Sequence, residues 1–223
     1  RYMKIFNNSL GKPYFTQRNN KIKPFESCTA TSIIMALYYS NIPFPMSDNQ
    51  PEDDLMTFIN TNPDVIHYYK NNPEPWIRSL YEKNYPANEI HSIVEYAVNL
   101  WVGKKVVSFT TNATLEQIVT HLFNKKLCVF SGNFPYEDKA GKLKTIGHVV
   151  CGVGFSTVQD DIFNAPINPN LVNNIIIDDP FGNYKTNYKN VNGNDIYMPI
   201  NDFINIIKTQ GSINNKWCYF INP

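Results

Sequence analysis

Glu26-Ser27-Cys28-Thr29-Ala30-Thr31-Ser32-Ile33-Ile34-Met35-Ala36-Leu37-Tyr38-Tyr39 is the stretch on which the reading of this chain turns. Ile33, Ile34, Leu37 and Tyr38 recur at helical spacing and mark a face that would enter a core. Ser27 is of the type that caps a helix N-terminus, which makes Cys28 the first helical residue. A thiol there feels the positive end of the helix dipole and nearby unpaired N–H groups, and both favour its thiolate. Free cysteine is more often a small buried apolar residue, so this stretch alone does not separate a core thiol from a reactive one.

The 223 residues carry 20 Lys and Arg against 19 Asp and Glu, for a net charge of +1, with 43% hydrophobic and 14% aromatic residues. These proportions suit one well-packed domain over residues 1–223 and exclude a disordered tail. Charged residues make up only 17%, with no basic cluster interleaved with aromatics, so no nucleic-acid partner is expected. No apolar run reaches the roughly 20 residues that span a bilayer. Asparagine is abundant from end to end, so the sequons Asn7-Asn8-Ser9 and Asn112-Ala113-Thr114 are expected by chance. The chain begins at Arg1, without an initiator Met or a signal-peptide pattern, as a processed fragment would. Cys28, Cys128, Cys151 and Cys218 are far apart with no C-x-x-C pair, which argues against a zinc knuckle or redox motif, and no cofactor or metal is expected. Cys128 and Cys151 lie in apolar strand-like runs, where free thiols are as natural as disulfides, so the cysteines do not fix the compartment. The working expectation is a secreted or cell-surface monomer.

Residues 1–27 read as an irregular polar lead, with a short extended run Pro13-Tyr14-Phe15-Thr16-Gln17. The helix that begins at Cys28 stops before Pro43 and Pro45. Residues 51–101 read as short helices opened by Pro51, Pro63 and Pro75, then a longer one from about Asn88 to Trp101. Beyond Gly103 strands dominate: 105–110, 126–132, 147–155, 174–179 and 216–221. A capping box of Thr114 and Gln117 opens a helix to about Asn124, residues 133–145 read as a loop, 182–198 as a polar stretch, and 199–208 as a short helix. Helices first and then mainly strands predict an α+β fold, a helical half against an antiparallel sheet. His67 and His91 read as ordinary helix-face histidines, and His121 as a solvent-facing one; none has a partner at metal-ligand spacing.

A catalytic thiolate needs an imidazole, a group that orients it, and donors for an oxyanion. His148 follows Gly147 at the start of an apolar strand, which places it at a sheet rim. Ile175-Ile176-Ile177-Asp178-Asp179-Pro180-Phe181-Gly182 delivers a carboxylate at the end of another, and a hairpin between the two strands would bring the ends together. Alternation puts Asp178 and Asp179 on opposite faces, so only one can serve. The same residues also suit a plain turn with an Asx cap. Gln17 could hold an oxyanion jointly with the Cys28 N–H, or be a polar loop residue.

With Gln17, Cys28, His148 and Asp179 in that order, the chain resembles the papain-fold cysteine peptidases related to the bacteriocin-processing (double-glycine leader) peptidases, the peptidase C-thirty-nine-like family. The resemblance is carried by Tyr14-Phe15-Thr16-Gln17, by Cys28 through Leu37, by Gly147-His148-Val149-Val150 and by Ile177-Asp178-Asp179-Pro180-Phe181-Gly182. It implies a papain-like fold and a bacterial cysteine peptidase hydrolysing peptide bonds in a peptide or protein substrate. In that reading Cys28 is the nucleophile, His148 the general base, Asp179 its orienter and Gln17 the oxyanion donor. Three departures stand out. Many relatives have Gly or Asn where Thr29 follows the cysteine, residues 19–27 lengthen the gap from Gln17 to Cys28, and no G-x-x-x-x-G-K-[ST] phosphate loop is present. Residues 51–101 form a long helical insert expected to build one wall of the cleft. The same four residues would also serve a peptidoglycan amidase or endopeptidase or an acyltransferase, and the fold could carry an inert binding module.

Overall fold

Helix and strand signals separate along the chain as α1 (Cys28–Tyr39), α2 (Pro51–Thr61), α3 (Pro63–Lys70), α4 (Pro75–Glu82) and α5 (His91–Val102), preceded by a short strand β1 (Lys4–Asn7), in a computed structural model that describes residues 2–223. The second half alternates: β2 (Val107–Ala113), α6 (Leu115–Phe123), β3 (Cys128–Glu137), β4 (Leu143–Thr157), β5 (Val172–Asp178), β6 (Ile196–Pro199), α7 (Ile200–Ile206) and β7 (Lys216–Ile221). Pro51, Pro63 and Pro75 each open a helix, where a missing N–H costs nothing and φ is already set. Thr114 and Gln117 form the reciprocal capping box at the start of α6, with bonds of 3.0 and 3.1 Å. Gly103, with φ +87°, ends α5.

The strands form one antiparallel sheet in the order β2-β7-β3-β4-β5-β6. The long strand β4 organises it. β3 pairs one edge of β4 from Leu143 to Gly152, and β1 continues that edge from Gly154 to Thr157. On the opposite edge β5 pairs only from Cys151 onward, so Gly147 and His148 lie where β4 leaves the paired body of the sheet. Successive β4 residues face opposite sides, with the alternation shifted by one at a bulge between Gly152 and Gly154. Val149, Cys151 and Val153 meet the helices α1, α2 and α5, while Val150 and Phe155 join the core beneath α6 and α7.

Helix α1 lies inside the molecule. All but two of its residues are buried, and Ile33, Ile34, Met35 and Leu37 have no exposed surface. A helix apolar nearly all round leaves periodicity little to indicate, and this explains one difference from the sequence reading: Tyr38 is 45% exposed, leaning on Phe15 rather than entering the core. Other differences have similar local causes. The lead segment contains β1, too short to show a pattern, and Gln17–Asn19 forms a 3-10 turn. The loop expected over 133–145 is mostly a hairpin, because β3 runs on to Glu137 and β4 starts at Leu143. Leu143 to Gly147 are exposed, so no core-facing alternation marks them as strand. The polar stretch 182–198 ends in β6, an edge strand whose terminal proline costs no central ladder bond. His121 is not solvent-facing: its Nε2 lies 3.0 Å from the carbonyls of Leu127 and Ile221.

Gly154 marks how tightly β1 is seated. A Cβ built there would lie 1.9 Å from the Phe6 carbonyl oxygen, a backbone atom that cannot swing aside. Gly154→Ala is therefore expected to prise β1 from β4 and to lower stability by about 1–3 kcal/mol, measured as a shifted urea midpoint. An unchanged midpoint would show that β1 is not held as described.

Candidate active site

Cys28 is the first residue of α1, and its position is fixed by packing rather than by a cap. Ser27 occupies the N-cap position, but its side chain makes no capping bond. Its hydroxyl instead accepts from Asn20 Nδ2 at 2.9 Å, and the same amide nitrogen reaches Thr31 Oγ1, whose hydroxyl donates to the Ser27 carbonyl. The expected N-cap residue is thus in place, with its oxygen turned inward. The first N–H groups of α1, which have no intrahelical acceptors, thus stand without a side-chain cap at the positive end of the helix. Further along, Ser32 Oγ donates to the Val149 carbonyl at 3.1 Å, which ties the helix to β4 one residue beyond His148.

His148 is buried, and its Nε2–H donates to Asp179 Oδ1 at 2.7 Å. With Nε2 so engaged, Nδ1 is the nitrogen left for the neighbouring Cys28 thiol, which lines the same two cavities as the ring. Asp179 has no exposed surface. Its Oδ1 also accepts the Phe181 N–H at 2.9 Å, and Tyr188 approaches Oδ2 at 3.5 Å. Asp178 faces the other way, accepting from the Tyr39 hydroxyl and the Asp195 N–H, both at 2.8 Å. Phe134, Phe181 and Tyr188 surround the imidazole edge to face, at 5.2, 6.3 and 6.2 Å between centroids. Asn187 and Tyr188 hold left-handed backbone, φ 54° and 58°, in the loop that closes over this pair. Such conformations cost energy and tend to persist at functional sites.

The electrostatics follow from these contacts. Burial pushes the Cys28 thiol up, but the hydrogen bond and charge of His148 outweigh it, and the net shift is downward. Burial pulls His148 down, yet the adjacent Asp179 carboxylate, and then Cys28, raise it to about 10. The two shifts favour a thiolate–imidazolium pair over the neutral pair near neutral pH. By contrast burial raises Cys128 and Cys151 well above the ordinary thiol range, and Cys218 is buried as well. Asp178 is pushed up to about 6, chiefly by burial.

Gln17 is buried beside Cys28. Its Nε2 donates one hydrogen to the Pro24 carbonyl at 2.8 Å, and its Oε1 is buried without a partner. Its backbone N–H is tied to the Pro180 carbonyl at 2.9 Å, which links the lead segment to the turn after Asp179. Arg18 strengthens this link, its Nε donating to the Phe181 carbonyl at 2.7 Å while the guanidinium covers the Phe181 ring.

Two cavities meet at this point, of about 350 and 380 Å³, and both are lined by Phe25, Cys28, Ile146, Gly147 and His148. Asn88 and Glu89, from the turn between α4 and α5, and His91, the first residue of α5, wall the first, and Gln17, Phe181 and Tyr188 the second. A larger concavity of about 910 Å³ lies over α6 and contains none of these side chains. Among the described residues no group of three or more His, Cys, Asp or Glu side chains is placed to hold a metal ion, and no helix is long and apolar enough to cross a membrane.

His91 carries more than the sequence suggests. It bridges the Tyr219 hydroxyl at 2.6 Å and the Ser131 hydroxyl at 3.2 Å, and burial, then Lys208, lowers it to about 4, so it is neutral beside the cleft. Its partners lie on strands far along the chain, and no local signal announces them. The aromatics around His148 are equally hidden, since Phe134 and Tyr188 enter through the hairpin and the loop after β5.

No curated protein matches the sequence. The crystal structure of a Bacillus anthracis protein described as a C39-like peptidase superposes with a TM-score of 0.52 at 13% identity, covering 99% of this chain and 98% of the other. At that identity the likeness concerns the fold, the papain-like α+β arrangement. The sequence itself matches the peptidase C39-like family over residues 9–197, and the chain belongs to that family.

Proposed function

We propose that this protein is a cysteine peptidase in which Cys28 is the nucleophile, His148 the proton carrier and Asp179 its orienter. The observation that carries the reading is a helix-terminal thiol lining the same cavities as His148, whose Nε2 lies 2.7 Å from a buried carboxylate. In this reaction the thiolate attacks the scissile carbonyl carbon and the carbonyl π electrons move to oxygen. The oxyanion is held by the Cys28 N–H and by the second hydrogen of the Gln17 amide, the first being committed to Pro24. His148 then gives its proton to the departing amine, leaving a thioester. Water, deprotonated by the same imidazole, attacks the thioester and releases the acid and the thiolate. Asp179 keeps the ring in the tautomer that points Nδ1 at sulfur.

Gly147 supports a polypeptide as substrate. It lines both cavities beside Cys28, its backbone is not left-handed, and nothing lies within 4 Å of where a Cβ would stand. The fold makes no use of the missing side chain, whereas a substrate main chain crossing from one cavity to the other would.

Three results are expected. Limited iodoacetamide at pH 6 should alkylate Cys28 ahead of Cys128, Cys151 and Cys218, and Cys28→Ala should abolish peptide cleavage; equal labelling of all four would sink the nucleophile assignment. In Asp179→Asn the carboxylate that raises His148 is gone, so the imidazolium is lost at lower pH. The alkaline limb of kcat/KM should then move down by about 1–3 pH units, and an unmoved limb would remove Asp179 from its role. Gly147→Ala should fold with an unchanged thermal midpoint, alkylate normally with iodoacetamide, and cleave peptide with KM raised about ten-fold or more. A normal KM would place the substrate elsewhere.

A further inference from the structure

A third cavity, of about 790 Å³, adjoins the one that holds Cys28 and Asn88. The two share Tyr85, Glu89 and His91, so the surface runs without interruption from the thiol into the larger space. Its walls come from both halves of the molecule: Trp76 and Leu80 from α4, Phe109 from β2 and Trp217 from β7. His91, Phe109 and Trp217 pack edge to face at 4.7 to 5.9 Å, which gives a stiff aromatic floor. Trp76 is 58% exposed at the mouth, an indole left in water above an apolar hollow. Glu89 and Glu95 are the charged residues of the lining, with no Lys or Arg among them. Lys208 approaches the Trp217 ring at 4.4 Å but belongs to the wall of the Cys28 cavity.

We propose that this cavity is a subsite for an aromatic or large aliphatic side chain of the substrate, at least one residue removed from the scissile bond. The proposal rests on the peptidase reading. Three features select the occupant. The space is continuous with the cleft, so a chain lying over Gly147 can reach it. The floor is ring-lined and apolar, which rewards a bulky apolar side chain over glycine. The carboxylates of Glu89 and Glu95 repel Asp and Glu, since an acid entering here would lose water and meet like charge. The separation from the scissile bond follows because the smaller cavity, lined by Ser131 and His148, stands between the thiol and the ring-lined space.

The test is substrate profiling with short peptides varied at each position on both sides of the cleaved bond. At one position Phe or Leu should exceed Gly by about ten-fold or more in kcat/KM, with Glu below Gly. Trp76→Ala, a change at a largely exposed side chain, should bring the Phe-to-Gly ratio near one. Glu89→Gln should lift the penalty against Glu. In parallel, the Cys28→Ala protein should bind the Phe peptide more tightly than the Gly peptide, read by calorimetry. A profile that is flat while peptides are still cleaved overturns the subsite and leaves the peptidase reading standing. A Phe preference that survives Trp76→Ala also overturns the subsite. If no peptide is cleaved, the peptidase reading fails, and equal binding of the two peptides to Cys28→Ala then overturns the subsite on its own evidence.

Discussion

The packing of α1 against β4 is the constraint from which the rest of the molecule follows. Ten of the twelve residues of α1 are buried, and the helix meets the face of β4 that carries Val149, Cys151 and Val153. Cys28 is the first residue of this helix, and His148 opens the buried run of the strand. To separate sulfur from imidazole, the helix would have to slide along the strand. That would uncover Ile33, Ile34 and Leu37 together, each worth about 1.5–3 kcal/mol of burial, and break the Ser32 bond to Val149. The distance between two polar groups is thus set largely by the apolar packing behind them.

The same arrangement favours a charge pair where water is scarce. Desolvation acts against both ions: it pushes the thiol up and the imidazole down. The opposing field has two sources. One is Asp179, whose carboxylate is buried and bonded on both oxygens, and so cannot swing out to solvent. The other is the open start of α1, left without a side-chain cap because Ser27 is bonded to Asn20. An ordinary cap would occupy an N–H group of the first turn. Here the capping hydroxyl is spent on tying the lead segment to the helix, so the polar end of α1 remains available to an anion.

Much of this was legible in the sequence, and the exceptions have a common cause. Pro51, Pro63, Pro75 and the Thr114–Gln117 box act within one turn, so their helices start where local rules place them. The opposite orientations of Asp178 and Asp179 follow from strand alternation alone, and so does the presence of an acid facing the sheet rim. What the sequence hid is whatever depends on distant pairing. β1 exists because Gly154 lets Phe6 approach. The hairpin past Gly147 is strand by hydrogen bonding to β3, not by burial. His91 looks like a surface histidine until Tyr219 and Ser131 arrive from other strands. Tyr38 fits the core-facing period but stands outside, because a helix enclosed on nearly every side needs one residue at its exit.

Two glycines on one strand show how core and site are divided. At Gly154 the space that a side chain would fill is taken by the backbone of β1; at Gly147 it is empty. Both positions are extended, so neither glycine is there for its own backbone freedom. The first is explained by the fold, since β1 could not pair without it. The second is not, and the cavities that meet over it supply the missing reason. Between them lies the run from His148 to Val153, which faces α1 on one side and the core under α6 and α7 on the other. A strand packed against β1 at one glycine and bordering open space at the other is held at one of these points and accessible at the other. The packing on one side fixes where His148 stands, and the open side is where the proposed substrate chain would lie.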